Sequence, residues 1–91
     1  MIKTLVVEDE FGTRNGISML IQESGLPCKV VGLCENGFEG LEKVKLFHPD
    51  LVITDIKMPR MDGISMIENI ISWGESPKFI ILSGYAEFQY A

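Results

Sequence analysis

The sequence predicts an α/β domain built on a parallel sheet with helices on both of its faces. Short apolar runs rich in valine and isoleucine alternate along the chain with segments whose apolar residues recur at helical spacing. Strands that alternate with helices favour a parallel sheet, because each helix carries the chain back to the edge where the next strand begins. The 91 residues are 46% hydrophobic and 23% charged, which is typical of a single globular domain.

The first part of the chain predicts two strands joined by a helix. Residues 5–7, Leu-Val-Val, are apolar and too few to form a helical core, which favours a buried strand. Four residues then recur at positions i, i+3, i+4 and i+7 of a helix: Ile17, Leu20, Ile21 and Ser24. Gly25 and Pro27 are typical of a helix end, and residues 30–34 predict the second strand.

The middle of the chain predicts a second helix and a third strand. Asn36 can cap this helix, and Glu39 follows three residues later, as in a capping box. The apolar side of the helix is formed by Phe38, Leu41 and Val44. Pro49 and Asp50 break the helical pattern, and residues 51–54 predict the third strand.

The last part of the chain predicts a third helix, a fourth strand and the start of a fourth helix. After a turn over residues 59–63, isoleucines recur at helical spacing: Ile64, Ile67, Ile70 and Ile71. Gly74 and Pro77 end this helix, and residues 79–82 predict the fourth strand. Residues 83–91 would hold the first turns of one more helix.

Oxygen-bearing side chains follow three of the predicted strands. Glu8, Asp9 and Glu10 follow the first strand, Asp55 the third and Ser83 the fourth. Right-handed crossovers bring the carboxyl ends of parallel strands to one edge of the sheet, where such sheets bind ligands. Carboxylates gathered at one edge repel each other, and a hard cation relieves that repulsion. Mg²⁺ suits such a site, since it takes oxygen ligands and often a phosphate.

Asp55 is also a candidate nucleophile. An aspartate carboxylate can attack phosphorus and form an aspartyl-phosphate, and a nearby metal ion screens the charge of the phosphoryl group during transfer. Ser83 would then donate a hydrogen bond to a phosphoryl oxygen. For Glu10 alone, a solvated surface charge is the simpler interpretation, because charged residues are mostly exposed.

Taken in order, these residues resemble the receiver domain of bacterial two-component response regulators. The resemblance is carried by residues 5–10 (LVVEDE), 49–63 (PDLVITDIKMPRMDG) and 80–84 (IILSG), and it covers essentially the whole chain. It implies a flavodoxin-like doubly wound sheet and a phosphoacceptor domain rather than an enzyme. Residues 82–91 are similar to the subfamily in which the receiver precedes an AraC-type DNA-binding output domain.

The resemblance also implies a role for each candidate residue. Asp55 would be the phospho-accepting aspartate, and Ser83 the switch hydroxyl that turns toward the phosphoryl group. Asp9 and Asp55 would bind Mg²⁺ directly, Glu8 through a water molecule, and Lys57 through its backbone carbonyl. The phosphoryl donor would be the phosphohistidine of a sensor histidine kinase, and the response would pass to a transcriptional output domain.

Some parts of a complete receiver domain would fall after Ala91. They are a fifth strand, a last helix, a conserved lysine and an aromatic switch residue, so residues 1–91 are expected to form an incomplete receiver domain without its output domain. The fourth strand would then present an unpaired edge. Such an edge favours a homo-oligomer or a domain swap, unless these residues are the ordered part of a longer chain.

Charge and composition argue against other classes of function. A net charge of −5 disfavours direct nucleic-acid binding, which needs a basic surface. No apolar run approaches the roughly 18–20 residues that span a bilayer. The two cysteines, Cys28 and Cys34, have no metal-binding spacing and suggest a reducing, cytoplasmic location.

Two alternatives stay open at this point. One is a pseudo-receiver, an interaction module that binds partners without being phosphorylated, although the presence of Glu8, Asp9 and Asp55 argues against it. The other is a phosphohydrolase that uses Asp55 as its nucleophile. Such enzymes commonly carry a general-acid carboxylate two residues after the nucleophile, and here that position is Lys57.

Overall fold

The computed structural model describes residues 1–82 and has the predicted α/β architecture there. Four parallel strands form one sheet: β1 (Ile2–Val7), β2 (Cys28–Cys34), β3 (Leu51–Asp55) and β4 (Lys78–Leu82). Three helices alternate with them: α1 (Phe11–Glu23), α2 (Gly37–Phe47) and α3 (Gly63–Ser72). The predicted start of a fourth helix falls in residues 83–91, outside the described residues. No helix within residues 1–82 is long and apolar enough to cross a membrane.

The order of the strands determines where a ligand can bind. The strands lie in the order β2-β1-β3-β4, so the direction in which strands are added reverses after β2. Because strand–helix–strand crossovers are right-handed, this reversal places α1 on one face of the sheet and α2 and α3 on the other. The sheet is therefore doubly wound, as predicted. Its switch point lies between the carboxyl ends of β1 and β3.

The register of the two central strands brings acidic residues together at this switch point. Val7 of β1 pairs with Thr54 of β3. Glu8 follows Val7 directly, and Asp55 follows Thr54 as the last residue of β3. The two acidic residues therefore leave the sheet side by side, although many residues separate them in sequence.

The core between the sheet and helices α2 and α3 is apolar and closely packed. Its buried members are Leu5, Val7, Cys34, Val44, Val52, Met66 and Ile70. Burial raises the pKa of the Cys34 thiol to about 12, so this thiol stays protonated at neutral pH. Since the thiolate is the reactive form of cysteine, Cys34 is an unreactive packing residue of the core.

The buried face of helix α1 coincides only in part with the predicted one, in which Ile17 and Ile21 are partly buried. Leu20, expected on the apolar side, is 70% exposed, whereas Arg14 and Ser18 are buried. The guanidinium of Arg14 reaches back to the loop between β1 and α1 and donates to the carbonyl oxygen of Glu8. Leu20 follows Arg14 by six residues, and at roughly 100° per residue it lies on another side of the helix. Because Arg14 is buried, Leu20 therefore faces outward.

Candidate functional site

The carboxyl edge of the sheet brings together Glu8, Asp9 and Asp55. One carboxylate oxygen from each residue lies within 4.8 Å of those of the other two. Glu8 and Asp9 begin the loop after β1, and Asp55 ends the neighbouring β3. The structure thus assembles three of the acidic residues that the sequence predicts at this edge, and it does so at the switch point of the sheet.

The three carboxylates have different surroundings. Glu8 is 5% exposed, Asp55 is half-buried and Asp9 is exposed. The backbone N–H of Glu10 donates to Oε2 of Glu8 at 3.1 Å, and the backbone N–H of Ile56 donates to Oδ1 of Asp55 at 2.8 Å. These bonds orient two of the carboxylates from behind, while Asp9 faces solvent.

Electrostatic repulsion and burial act together on Glu8. Its pKa is raised above the ordinary value, and burial is the largest cause. A hydrogen bond to the Asp9 side chain and the negative charges of Asp55 and Asp9 act in the same direction, against the bond from the backbone of Glu10. A cation among the three carboxylates would offset the repulsion and favour the ionised form. The cluster therefore has the electrostatic character of a cation site.

The loop between β3 and α3 contacts Asp55 closely on its main-chain side. The Thr54 hydroxyl donates to the carbonyl oxygen of Asp55 at 2.8 Å, and the N–H of Gly63 donates to the carbonyl oxygen of Ile56 at 2.8 Å. A Cβ atom placed on Gly63 would overlap the carbonyl oxygen of Asp55. Only glycine allows this approach, so Gly63 helps to determine where Asp55 lies.

The same loop is attached to the start of α2. The N–H of Gly37 donates to the carbonyl oxygen of Met61 at 3.0 Å, and a Cβ on Gly37 would lie 2.6 Å from the Met61 side chain. Met58 and Met61 also pack against the core. The loop that follows the candidate nucleophile is therefore held by packing as well as by hydrogen bonds.

Glu10 has a structural role instead of a place in the acidic cluster. It is the N-cap of α1, and its carboxylate accepts hydrogen bonds from the backbone N–H of Thr13 at 2.5 Å and of Gly12 at 3.1 Å. The bonds from Thr13 are the largest cause of its lowered pKa. Three consecutive acidic residues thus divide into two that enter the cluster and one that caps a helix.

The predicted site includes two further residues, Lys57 and Ser83. Lys57 is exposed in the loop two residues after Asp55. Ser83, the predicted switch hydroxyl, lies outside the described residues, directly after β4.

Arg14 lies beside the site, at a position that was not predicted from the sequence. Its guanidinium is buried, and Nη1 donates to the carbonyl oxygen of Glu8 at 2.8 Å. The available sequence signal is its position five residues after Asp9, on the second turn of α1. An arginine on an amphipathic helix is more often a surface residue, which hides this signal.

Comparison with known proteins identifies the family. The sequence profile of the response regulator receiver domain matches residues 4–91. The chain belongs to this family. The receiver domain is 40% identical over 91 residues to the uncharacterized transcriptional regulatory protein YesN of Bacillus subtilis. This match covers the whole chain but 25% of YesN, so the chain spans about a quarter of the length of that relative.

Solved structures confirm the receiver fold. The REC domain of AraT, a response regulator from Geobacillus stearothermophilus, matches 99% of this chain and 70% of its own, with a TM-score of 0.89 and 32% identity. A two-component transcriptional regulator AraC from Clostridium phytofermentans matches the whole chain and 73% of its own, with a TM-score of 0.86 and 30% identity.

Properties general to receiver domains bear on the acidic cluster. Receiver domains are signalling phosphoacceptors that generally bind Mg²⁺ at an acidic pocket. They interact with histidine kinases and with the output domains of transcriptional regulators. In this receiver domain the carboxylates of Glu8, Asp9 and Asp55 form a cluster of acidic groups.

Proposed function

We propose that Asp55 accepts a phosphoryl group from the phosphohistidine of a sensor histidine kinase in a Mg²⁺-dependent reaction. The observation that carries this proposal is the meeting of the Glu8, Asp9 and Asp55 carboxylates within 4.8 Å at the switch point of a receiver sheet. Asp55 is the half-buried member, it ends a central strand, and a backbone N–H holds its Oδ1.

The residues present fit a magnesium ion. They supply carboxylate oxygens, which Mg²⁺ prefers. Burial first, and then the negative charges of Asp55 and Asp9, raise the pKa of Glu8, and a divalent cation would balance those charges. In the proposed site Asp9 and Asp55 bind the ion directly, Glu8 binds it through water, and the backbone carbonyl of Lys57 is a further ligand. The ion would neutralise charge on the incoming phosphoryl group.

The proposed transfer is a displacement at phosphorus. A carboxylate oxygen of Asp55 forms the new O–P bond as the N–P bond of the phosphohistidine breaks. The electron pair of the broken bond stays on the imidazole nitrogen of the kinase. The receiver domain contributes by positioning the carboxylate of Asp55, which the β3–α3 loop and the backbone N–H of Ile56 hold in place.

The signal would then pass to the region after β4. We propose that the hydroxyl of Ser83 donates a hydrogen bond to the phosphoryl group and so favours one of two conformations of the following segment. The similarity to YesN and to an AraC-type regulator supports a DNA-binding output domain as the recipient of this signal. Such a receiver would act in the cytoplasm, without contacting nucleic acid itself.

Mass spectrometry of the intact protein tests the phosphosite. Incubation with acetyl phosphate and Mg²⁺ is expected to add one phosphoryl group to the wild type and none to Asp55→Asn. Asp62→Asn is the matched control, because Asp62 lies in the same loop and asparagine can also cap α3. Absence of the adduct from the wild type, or its survival in Asp55→Asn, would contradict the proposed phosphosite.

The other two functions considered from the sequence gain no support. A phosphohydrolase would carry a carboxylate at the position of Lys57, and this residue is an exposed lysine. A pseudo-receiver has no need of an assembled acidic cluster, and the described residues contain one. Neither is therefore carried forward.

We also propose that the edge of β4 pairs with another strand. Within residues 1–82 β4 is an edge strand, and its Ile80 and Ile81 are 48% and 46% exposed. An exposed apolar edge favours strand pairing, either with residues outside this range or with a second copy. For the 91-residue chain we expect light scattering to give a mass above that of one chain, and a monomer would rule out pairing between copies.

A further inference from the structure

Arg14 contacts the main chain of the two residues that begin the acidic cluster. Its Nη1 lies 2.8 Å from the carbonyl oxygen of Glu8 and 3.5 Å from that of Asp9. Both carbonyls belong to residues whose carboxylates lie within 4.8 Å of the Asp55 carboxylate. One buried side chain of α1 thus holds the backbone from which two of the three carboxylates project.

This contact differs from an ordinary surface arginine. Arg14 is 8% exposed, and burial of a cation is unfavourable unless hydrogen bonds replace its hydration. The backbone carbonyls provide such bonds, and the ring of Phe11 lies 5.5 Å from the guanidinium carbon. The backbone N–H of Arg14 also donates to the carbonyl oxygen of Glu10 at 2.9 Å. The arginine and the loop are therefore joined through side chain and main chain together.

We propose that Arg14 is a positioning residue for the divalent cation: it holds the main chain of Glu8 and Asp9 so that both carboxylates face Asp55. Arg14 does not contact the ion or the phosphoryl group in this arrangement. The inference rests on the proposed magnesium site and adds to it a residue that sets its affinity. Residues that orient metal ligands in this way typically change metal affinity by about 10–100-fold when replaced.

The direction in which Mg²⁺ affinity changes when Arg14 is neutralised distinguishes a positioning role from a purely electrostatic one. Removing a positive charge near three carboxylates would by itself strengthen cation binding, because like charges repel. Loss of the two carbonyl contacts would instead weaken binding, since the carboxylates would no longer converge. A drop in Mg²⁺ affinity on neutralising Arg14 therefore indicates lost positioning.

The experiment compares Mg²⁺ binding in Arg14→Met, Arg14→Lys and Ser18→Ala with the wild type by isothermal titration calorimetry. We expect Arg14→Met to weaken Mg²⁺ binding by about 10-fold or more. Arg14→Lys keeps one charged donor and is expected to give an intermediate affinity. Ser18 is the matched control, because it is buried one turn later on the same side of α1 and its hydroxyl accepts a hydrogen bond from Gln22 of the same helix.

Each outcome of this experiment bears on the inference. Unchanged or stronger Mg²⁺ binding in a folded Arg14→Met would overturn it, even if that variant unfolds at a lower temperature. If Arg14→Met does not fold, wild-type affinity in Arg14→Lys would overturn it as well. Absence of Mg²⁺ binding by the wild type would contradict the proposed magnesium site and this inference together. Normal wild-type binding with no Arg14 effect contradicts the role of Arg14 alone.

Discussion

Replacing Gly63 with alanine is expected to lower the free energy of unfolding by about 3 kcal/mol, at the upper end of the usual cost of overpacking. Alanine normally favours a helix over glycine by about 1 kcal/mol, and Gly63 is the first residue of α3. Here the added Cβ would overlap the carbonyl oxygen of Asp55, so the steric clash outweighs the helix preference. Urea unfolding followed by circular dichroism measures the change.

Gly16→Ala is the matched control for this prediction. Gly16 lies within α1, and a Cβ placed on it meets no atom within 4 Å. The same substitution should therefore raise the free energy of unfolding by about 0.5–1 kcal/mol. We therefore expect Gly63→Ala to lower the free energy of unfolding and Gly16→Ala to raise it. A Gly63→Ala variant as stable as the wild type would show that the loop can move away from Asp55 at little cost.

We also expect a large effect of Asp9→Asn on the stabilisation of the folded protein by Mg²⁺. Binding to the folded state alone stabilises the wild type, by about 2.7 kcal/mol when free Mg²⁺ is 100 times its dissociation constant. Asp9→Asn removes a proposed direct ligand and should abolish most of this gain. Without metal, the same variant should be slightly more stable than the wild type, because one of three mutually repelling charges is gone. Thermal unfolding across a Mg²⁺ series measures both effects.

Glu10→Gln is the control that tests the division among the three consecutive acidic residues. Glu10 caps α1 and does not belong to the cluster, so this variant should keep the full response to Mg²⁺. Its stability should fall modestly at every Mg²⁺ concentration, since the amide oxygen is a weaker acceptor for the N–H groups of Gly12 and Thr13. Loss of the Mg²⁺ response in Glu10→Gln would contradict the assignment of Glu8 and Asp9.

The sequence was enough to predict the alternation of strands and helices and the edge of the sheet at which the acidic cluster lies. Short β-branched runs such as residues 51–54 are typical of buried strands, and right-handed crossovers then bring Asp55 to the same edge as Glu8 and Asp9. The helix cap was equally clear, since Oδ1 of Asn36 accepts from the N–H of Glu39 at 3.0 Å as the pattern predicts. These features follow from local chemistry and from one rule of topology.

Features that depend on rotation and close approach could not be predicted in this way. Glu8 and Glu10 have the same side-chain chemistry, so the resemblance to the receiver family, and not local chemistry, assigned Glu8 rather than Glu10 to the metal site. The burial of Arg14 in place of Leu20 depends on how α1 rotates about its axis, which the spacing of the apolar residues alone does not determine. From the sequence Gly63 is only the last residue of a predicted turn, whereas in the structure a neighbouring carbonyl oxygen constrains it.

The register of β1 and β3 has a further consequence for the unfolding of this domain. Val7 and Thr54 are both fully buried, so the strands that carry the cluster belong to the part of a fold that usually exchanges its amide hydrogens last. An ion held between Glu8 and Asp55 would link these two strands at their ends. Its binding energy would then oppose global unfolding rather than the fraying of one loop, so metal binding would slow amide exchange in the centre of the sheet.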